Sequence, residues 1–297
     1  MLPDKKIKEI LKQQKLAPKK RFGQNFLVNS NVSEKIVRLA GIGPDDTVIE
    51  LGVGFGALTG HLARYCKRVI GLEIDSGIIR YHKEENHLPA NVTLLHQDIL
   101  AADFDMLADE TGGRLKIIAN LPYSISNPLL FKLTNHRDAV EWATLMLQKE
   151  VAQRLTAEAG TKDYGILTVR MAACASVQKL LALGPQHFHP RPKVDSQVVK
   201  ITFYPEPART AALPAYDKGF LKKIIEAAFQ QRRKTLVNAL SSSSLVEISK
   251  NNITSALKKM AFDHRIRGEK LEVEDFVTLA NILQTNETAE SRTGQIS

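Results

Sequence analysis

Cysteine is nearly absent: Cys66 and Cys174 are the only two in 297 residues, and they lie far apart. Two such thiols offer neither a disulfide framework nor the ligand spacing of a metal site, and they point to a reducing cytosol. Long apolar runs are also lacking, and the first residues are rich in lysine rather than in hydrophobic side chains. Neither a signal peptide nor a transmembrane helix is therefore expected; the sequence reads as cytoplasmic, with no membrane partner and no metal. No internal repeat is visible. Acidic side chains are in deficit, 32 against 41 Lys and Arg, for a net charge of +9. The excess suggests a polyanionic partner such as nucleic acid, though a soluble enzyme with a basic surface shows the same balance. What remains is ordinary. A 43% apolar content supplies a real core, and the length suits one large domain with or without a small appendage.

Residues 1–20 form a basic arm: Lys5, Lys6, Lys8, Lys12, Lys15, Lys19 and Lys20, followed by Arg21, face only Asp4 and Glu9. Such an arm is either solvated or in contact with phosphate. From Thr47 onward, β-rich runs alternate with helical ones: strands over 47–51, 68–73, 92–95, 115–119 and 141–147, with helices at 57–65 and from Ser76. That alternation predicts an α/β fold with a mostly parallel sheet and helices on both faces. Residues 177–183 and 198–204 are strand-like and can pair as an edge, making the sheet mixed. Pro205-Glu206-Pro207 opens a linker, after which four helical segments (220–230, 232–240, 253–260 and 273–283) predict a small all-helical domain. The expected division is thus an arm at 1–20, an α/β domain at 21–205, a helical domain at 206–284 and a disordered polar tail at 285–297.

Gly52, Gly54 and Gly56 follow the first strand and open a helix, where missing β-carbons allow a tight turn and close approach to a ligand. The turn also satisfies a dinucleotide fingerprint, so NAD competes with other cofactors. Glu73 ends the next strand, 21 residues after Gly52 (73 − 52), where a carboxylate can bind ribose hydroxyls in either case. Glu50 discriminates. Its charge would repel a pyrophosphate, yet it suits the ammonium and sulfonium of S-adenosylmethionine. Asp98, after the third strand, can accept from the donor's adenine amine or cap the following turn.

Asn120-Leu121-Pro122-Tyr123 ends a further strand. A short amide, a rigid proline and an aromatic ring there are suited to holding a flat base. The Asn120 oxygen and a nearby backbone carbonyl can accept from an exocyclic amine, Pro122 fixes the backbone, and Tyr123 can stack. An adenine amine donates its lone pair into the ring. Two accepted hydrogen bonds favour a more tetrahedral nitrogen whose lone pair can point at a methyl group. No strong base is required, because the methylated nitrogen is acidic enough to lose its proton afterwards.

These motifs together resemble the ribosomal RNA adenine dimethyltransferases. Further matching segments are Arg21-Phe-Gly-Gln-Asn-Phe-Leu27, Phe188-His-Pro-Arg-Pro-Lys-Val-Asp-Ser196 and Phe229-Gln-Gln-Arg-Arg-Lys-Thr-Leu236, so the likeness runs from about Lys15 to Leu283. The pattern is most similar to the branch that dimethylates two adjacent adenosines near the 3′ end of small-subunit (16S) ribosomal RNA, within an assembling 30S particle. Arg267-Gly-Glu-Lys-Leu271 supports that branch. The resemblance implies a Rossmann-like class I methyltransferase fold with a helical C-terminal domain that recognises RNA. It implies S-adenosylmethionine contacts at Asn25, Leu27, Gly52, Glu73, Asp98 and Asn120, to which the glycine turn and its charge add Gly54 and Glu50, with Gln24 to Leu27 as a lid. Catalysis falls to Asn120, Leu121, Pro122 and Tyr123, with Phe188 as a second aromatic wall, although a ring in that proline-rich loop can also simply plug the core. The chain departs from the common pattern at Val53, where proline is frequent, and at Ser124, where asparagine is. Arg232, Arg233 and Lys234, read as helical, fan around the helix, so some can bind phosphate while another pairs with an acid; with the N-terminal arm they suit an extended RNA surface. Alternatives are the same chemistry on large-subunit RNA, as in antibiotic resistance, or a non-catalytic nucleic-acid-binding assembly factor of the same fold.

Overall fold

The computed structural model describes residues 25–204 and 213–293, with side chains to 285. The basic arm, Gln24 and the start of the linker lie outside the described residues. Two compact units emerge: 25–152 with 176–204, and 153–175 with 213–293.

The first unit opens with β1 (Phe26–Leu27) and α1 (Ser30–Ala40), then alternates β2 (Thr47–Leu51), α2 (Thr59–Tyr65), β3 (Arg68–Glu73), α3 (Ser76–Glu85), β4 (Val92–His96), α4 (Phe104–Thr111), β5 (Leu115–Asn120) and α5 (Ser126–Asn135). After β6 (Val140–Gln148) come α6 (Lys149–Leu155), then, past the inserted segment, β7 (Ala175–Leu183), β8 (Phe188–His189) and β9 (Ser196–Phe203). Seven strands form one sheet in the order β4-β3-β2-β5-β6-β9-β7. β2 to β6 pair in parallel, and β9 runs antiparallel to β6 with Met146 opposite Val198. The mixed edge expected from the sequence is present. β2 and β5 are buried on both faces, as parallel strands under helices must be, so Val48, Ile49, Ile117 and Ile118 are fully enclosed. The chain runs outward from β2 to β4 and then returns to β5 on the other side of β2. Their carboxyl ends diverge there, and loops leaving them open a crevice.

The second unit holds α7 (Ile166–Ala172), α8 (Lys218–Gln230), α9 (Leu236–Ser241), α10 (Lys250–Lys259) and α11 (Val273–Thr293) around Ile224, Leu236, Leu257 and Phe276. Three sequence readings change here. Residues 153–175, placed with the sheet, belong to this unit because Tyr164, Val169 and Ala173 pack into its core. The hydroxyls of Tyr164 and Tyr216 secure them, donating to the carbonyls of Leu271 (2.6 Å) and Ala173 (2.5 Å). The tail set at 285 is helical to Thr293, since no glycine or proline interrupts Val273 to Thr293. Arg232 to Lys234 form a turn rather than a helix: α8 ends at Gln230, and Thr235 caps α9 by accepting from the Asn238 amide.

Candidate active site

A cavity of about 1040 Å³ lies at the carboxyl edge of β2 and β5. Gly52 and Gly54 form its floor with φ of +81° and +53°, a region L side chains rarely adopt. A β-carbon on Gly54 would also stand 3.3 Å from the Phe26 ring. Glu73, at the end of β3, staples this turn: Oε2 accepts from the Gly54 amide and Oε1 from the Asp75 amide, each at 2.9 Å. Burial raises its pKa, and these two amides oppose the rise. His82 braces the turn from α3. Burial lowers its pKa against the opposing hydrogen bond to Gly54, in which Nε2 donates to the carbonyl at 2.7 Å.

Glu50 stands alone in character. It is 1% exposed in the middle of an apolar strand, and its Oε2 has no hydrogen-bond partner among the described residues. Burial pushes its carboxyl up to about 8 against hydrogen bonding from Thr59, and the negative charge of Glu73 adds to the shift. With one oxygen left without a partner, the buried carboxylate needs a nearby cation to be stable in its charged form.

Asp98 takes up the second of its readings, the cap. It lines the cavity, and Oδ1 accepts from the Leu100 amide at 2.8 Å, so it caps its own turn. Asn120 lies opposite, at the end of β5, where its Nδ2 donates to the Asn25 carbonyl at 3.2 Å. That bond leaves Oδ1 as the acceptor. Asn25, Leu27 and Pro122 also line the cavity, with Leu27 buried.

Other expected residues are not brought into it. Leu121 is core. Tyr123 opens a short 3-10 turn (Tyr123–Ile125) beside the cavity, half-buried, with its hydroxyl 2.7 Å from Ser196 Oγ. Phe188 is 3% exposed. Pairing of β8 with β1 sets it opposite Leu27, and it packs with Leu27, Ile118 and Val198 in the core rather than on the cavity wall. The second aromatic wall is therefore not assembled in this structure. Conversely, Ile74 and Leu100 line the cavity at 40% and 36% exposure, unusually open for large apolar side chains. Ile99, buried, joins them. The signal for them in the sequence is an apolar residue directly after each cavity carboxylate (Glu73-Ile74, Asp98-Ile99). Among the described residues no His, Cys, Asp and Glu cluster could hold a metal, and no helix is long and apolar enough to cross a membrane.

Two carboxylates within a glycine cradle fit a cationic adenosyl donor and disfavour a pyrophosphate. The parallel sheet with antiparallel β9, the cradle after β2 and the amide at the end of β5 define a Rossmann-like methyltransferase. The family model for ribosomal RNA adenine dimethylase matches residues 15–285, and the chain belongs to that family. It is 50% identical over 281 residues to "Ribosomal RNA small subunit methyltransferase A" of Desulfotalea psychrophila, covering 92% of this chain and 94% of that one. The protein of the same name from Syntrophus aciditrophicus is 39% identical, over 93% and 98%. Among solved structures, a dimethyladenosine transferase from Plasmodium falciparum aligns with a TM-score of 0.72 at 27% identity, covering 89% of this chain and 98% of that one. The 23S rRNA methyltransferase ErmE shares the fold, with a TM-score of 0.63 at 23% identity over 88% and 100%.

Proposed function

We propose that this chain transfers methyl groups from S-adenosylmethionine to the N6 amines of two adjacent adenosines near the 3′ end of small-subunit ribosomal RNA, giving dimethyladenosines. The observation that carries this reading is Asn120, whose amide is oriented by Asn25 so that its oxygen is left to accept from a base. Two relatives named for the small subunit, similar over more than nine-tenths of the chain, support the choice of RNA. The donor supplies, when bound, a methyl group activated by a positive sulfur. Gly52 and Gly54 let the backbone approach it, Glu50 and Glu73 hold its cationic and ribose portions, and Asp98 accepts from its adenine amine. Asn25 and Leu27 close over it. Asn120 Oδ1 and a neighbouring carbonyl accept from the target amine, which frees the nitrogen lone pair for attack. Tyr123 backs the base and Pro122 holds the turn. The partner is the RNA of an assembling 30S particle in the cytoplasm.

The test is mass spectrometry of small-subunit RNA. Particles from cells lacking the gene should miss two dimethyladenosines, and purified protein with S-adenosylmethionine should restore both. Asn120→Ala should slow transfer by about 100-fold while donor affinity changes little. Methylation of large-subunit RNA instead would redirect the assignment, and methylation of neither RNA would end it.

A further inference from the structure

The turn that carries Asp98 is held from outside by a residue no motif singles out. Asp98 follows β4, and its carbonyl accepts from the amides of Ala101 (3.1 Å) and Ala102 (2.9 Å). With the Asp98 Oδ1 bond to the Leu100 amide, the segment closes on itself and leaves the carbonyls of Leu100 and Ala102 facing away from these bonds. Both are taken by one group. The ammonium of Lys132, on α5, donates to Leu100 O at 2.8 Å and to Ala102 O. It also sits 4.6 Å over the ring of Phe104, which is fully enclosed at the start of α4.

We propose that Lys132 is a positioning residue for the adenine end of the donor: its ammonium fixes the Asp98–Ala102 turn, and with it the carboxylate and the apolar face of Leu100 presented to the base. The inference rests on the donor assignment made above. A lysine in the last turn of a helix is ordinarily explained by favourable interaction with that helix's own carbonyl end. Here the ammonium spends two of its three donors on another segment 30 and 32 residues earlier in the chain. Two carbonyl dipoles converging on one point repel each other unless a cation lies between them, so an uncharged side chain would let the turn open. Asp98 and Asp103 help keep the lysine charged against its burial. The same helix begins directly after the Tyr123–Ile125 turn, so α5 touches the base-handling turn at one end and the donor turn at the other.

Lys132→Met retains the length and apolar stem but donates no hydrogen bond. Calorimetry should show it binding S-adenosylmethionine about tenfold more weakly, with Lys132→Arg restoring most of the loss. At saturating donor, kcat should hold while the donor KM rises. Amide hydrogen exchange in the donor-free protein should accelerate at Ala101 and Ala102 in Lys132→Met and not in Lys132→Arg. A double-mutant cycle separates positioning from general destabilisation. In an Asp98→Ala background, Lys132→Met should weaken binding by less than about twofold. An equal loss in both backgrounds, or no loss in either, overturns the proposal. A wild-type protein that binds no S-adenosylmethionine overturns the donor assignment itself, whatever the variants do.

Discussion

Glu50 shows what one buried carboxyl demands. In the unfolded chain it ionises near 4.5, whereas the folded protein holds its proton to about 8. The folded state thus binds the extra proton across that window, and stability must fall as pH rises from about 4.5 to about 8. Glu50→Gln removes the effect. The variant should melt at the wild-type temperature near pH 4 and above it at pH 8.5, while losing donor affinity. Wild-type affinity should itself strengthen up to about pH 8, because a cation is held best by the ionised form. Thermal melts and calorimetry between pH 4 and 9 check both signs; a variant that melts lower at pH 8.5 contradicts the argument. The residue's importance was legible because a carboxylate inside Thr47-Val-Ile-Glu-Leu51 is out of place in a buried strand. The environment of Phe188 was not. Its burial depends on pairing with Leu27, more than 150 residues away, and a two-residue strand has no periodicity to read.

Elements that are buried on both faces announce themselves as apolar runs, which is why β2, β3, β5 and β6 were readable to within a residue or two. The sequence places the break at 231 correctly but starts the next helix at Arg232, before α9 begins at Leu236; the deciding signal is the capping threonine, Thr235. The difference has a functional edge. Arg232 donates to the carbonyls of Lys162 and Tyr164 and pairs with Glu269 at 3.4 Å, so it fastens residues 162–164 to the helices of the same unit. Arg233 and Lys234 are exposed, and their side chains show no such ties among the described residues. Arg232→Ala should therefore lower the melting temperature with a normal salt dependence of RNA binding. Charge reversal of Arg233 and Lys234 together should leave melting unchanged and weaken RNA binding. Losing two phosphate contacts should flatten the slope of log affinity against log salt by about 1.4 on single strands. Identical slopes for the two proteins would remove these side chains from the interface.

At the scale of the whole chain, sequence composition located the sheet and the helical region but not the path between them. Residues 153–175 look like a continuation of the α/β pattern, since an amphipathic helix carries no label for the core it will join. Only tertiary packing assigns Tyr164, Val169 and Ala173 to the second core. A fragment ending at 205 should accordingly expose those three side chains and bind an apolar dye such as ANS. Replacing 153–175 with a short polar linker in that fragment should abolish the dye signal; equal dye binding by both fragments would contradict the assignment. The chain thus passes between the units three times, at 152/153, at 175/176 and between 204 and 213. During synthesis this ordering creates a wait. Ala173 leaves the ribosome well before Phe276 and Leu283, the last partners of its core. With about a hundred residues still to be added at roughly 5–20 per second, the inserted segment spends on the order of 5–20 s without its native partners. The protein's most exposed moment is therefore its own translation, when apolar side chains from the middle of the chain must await the end of it.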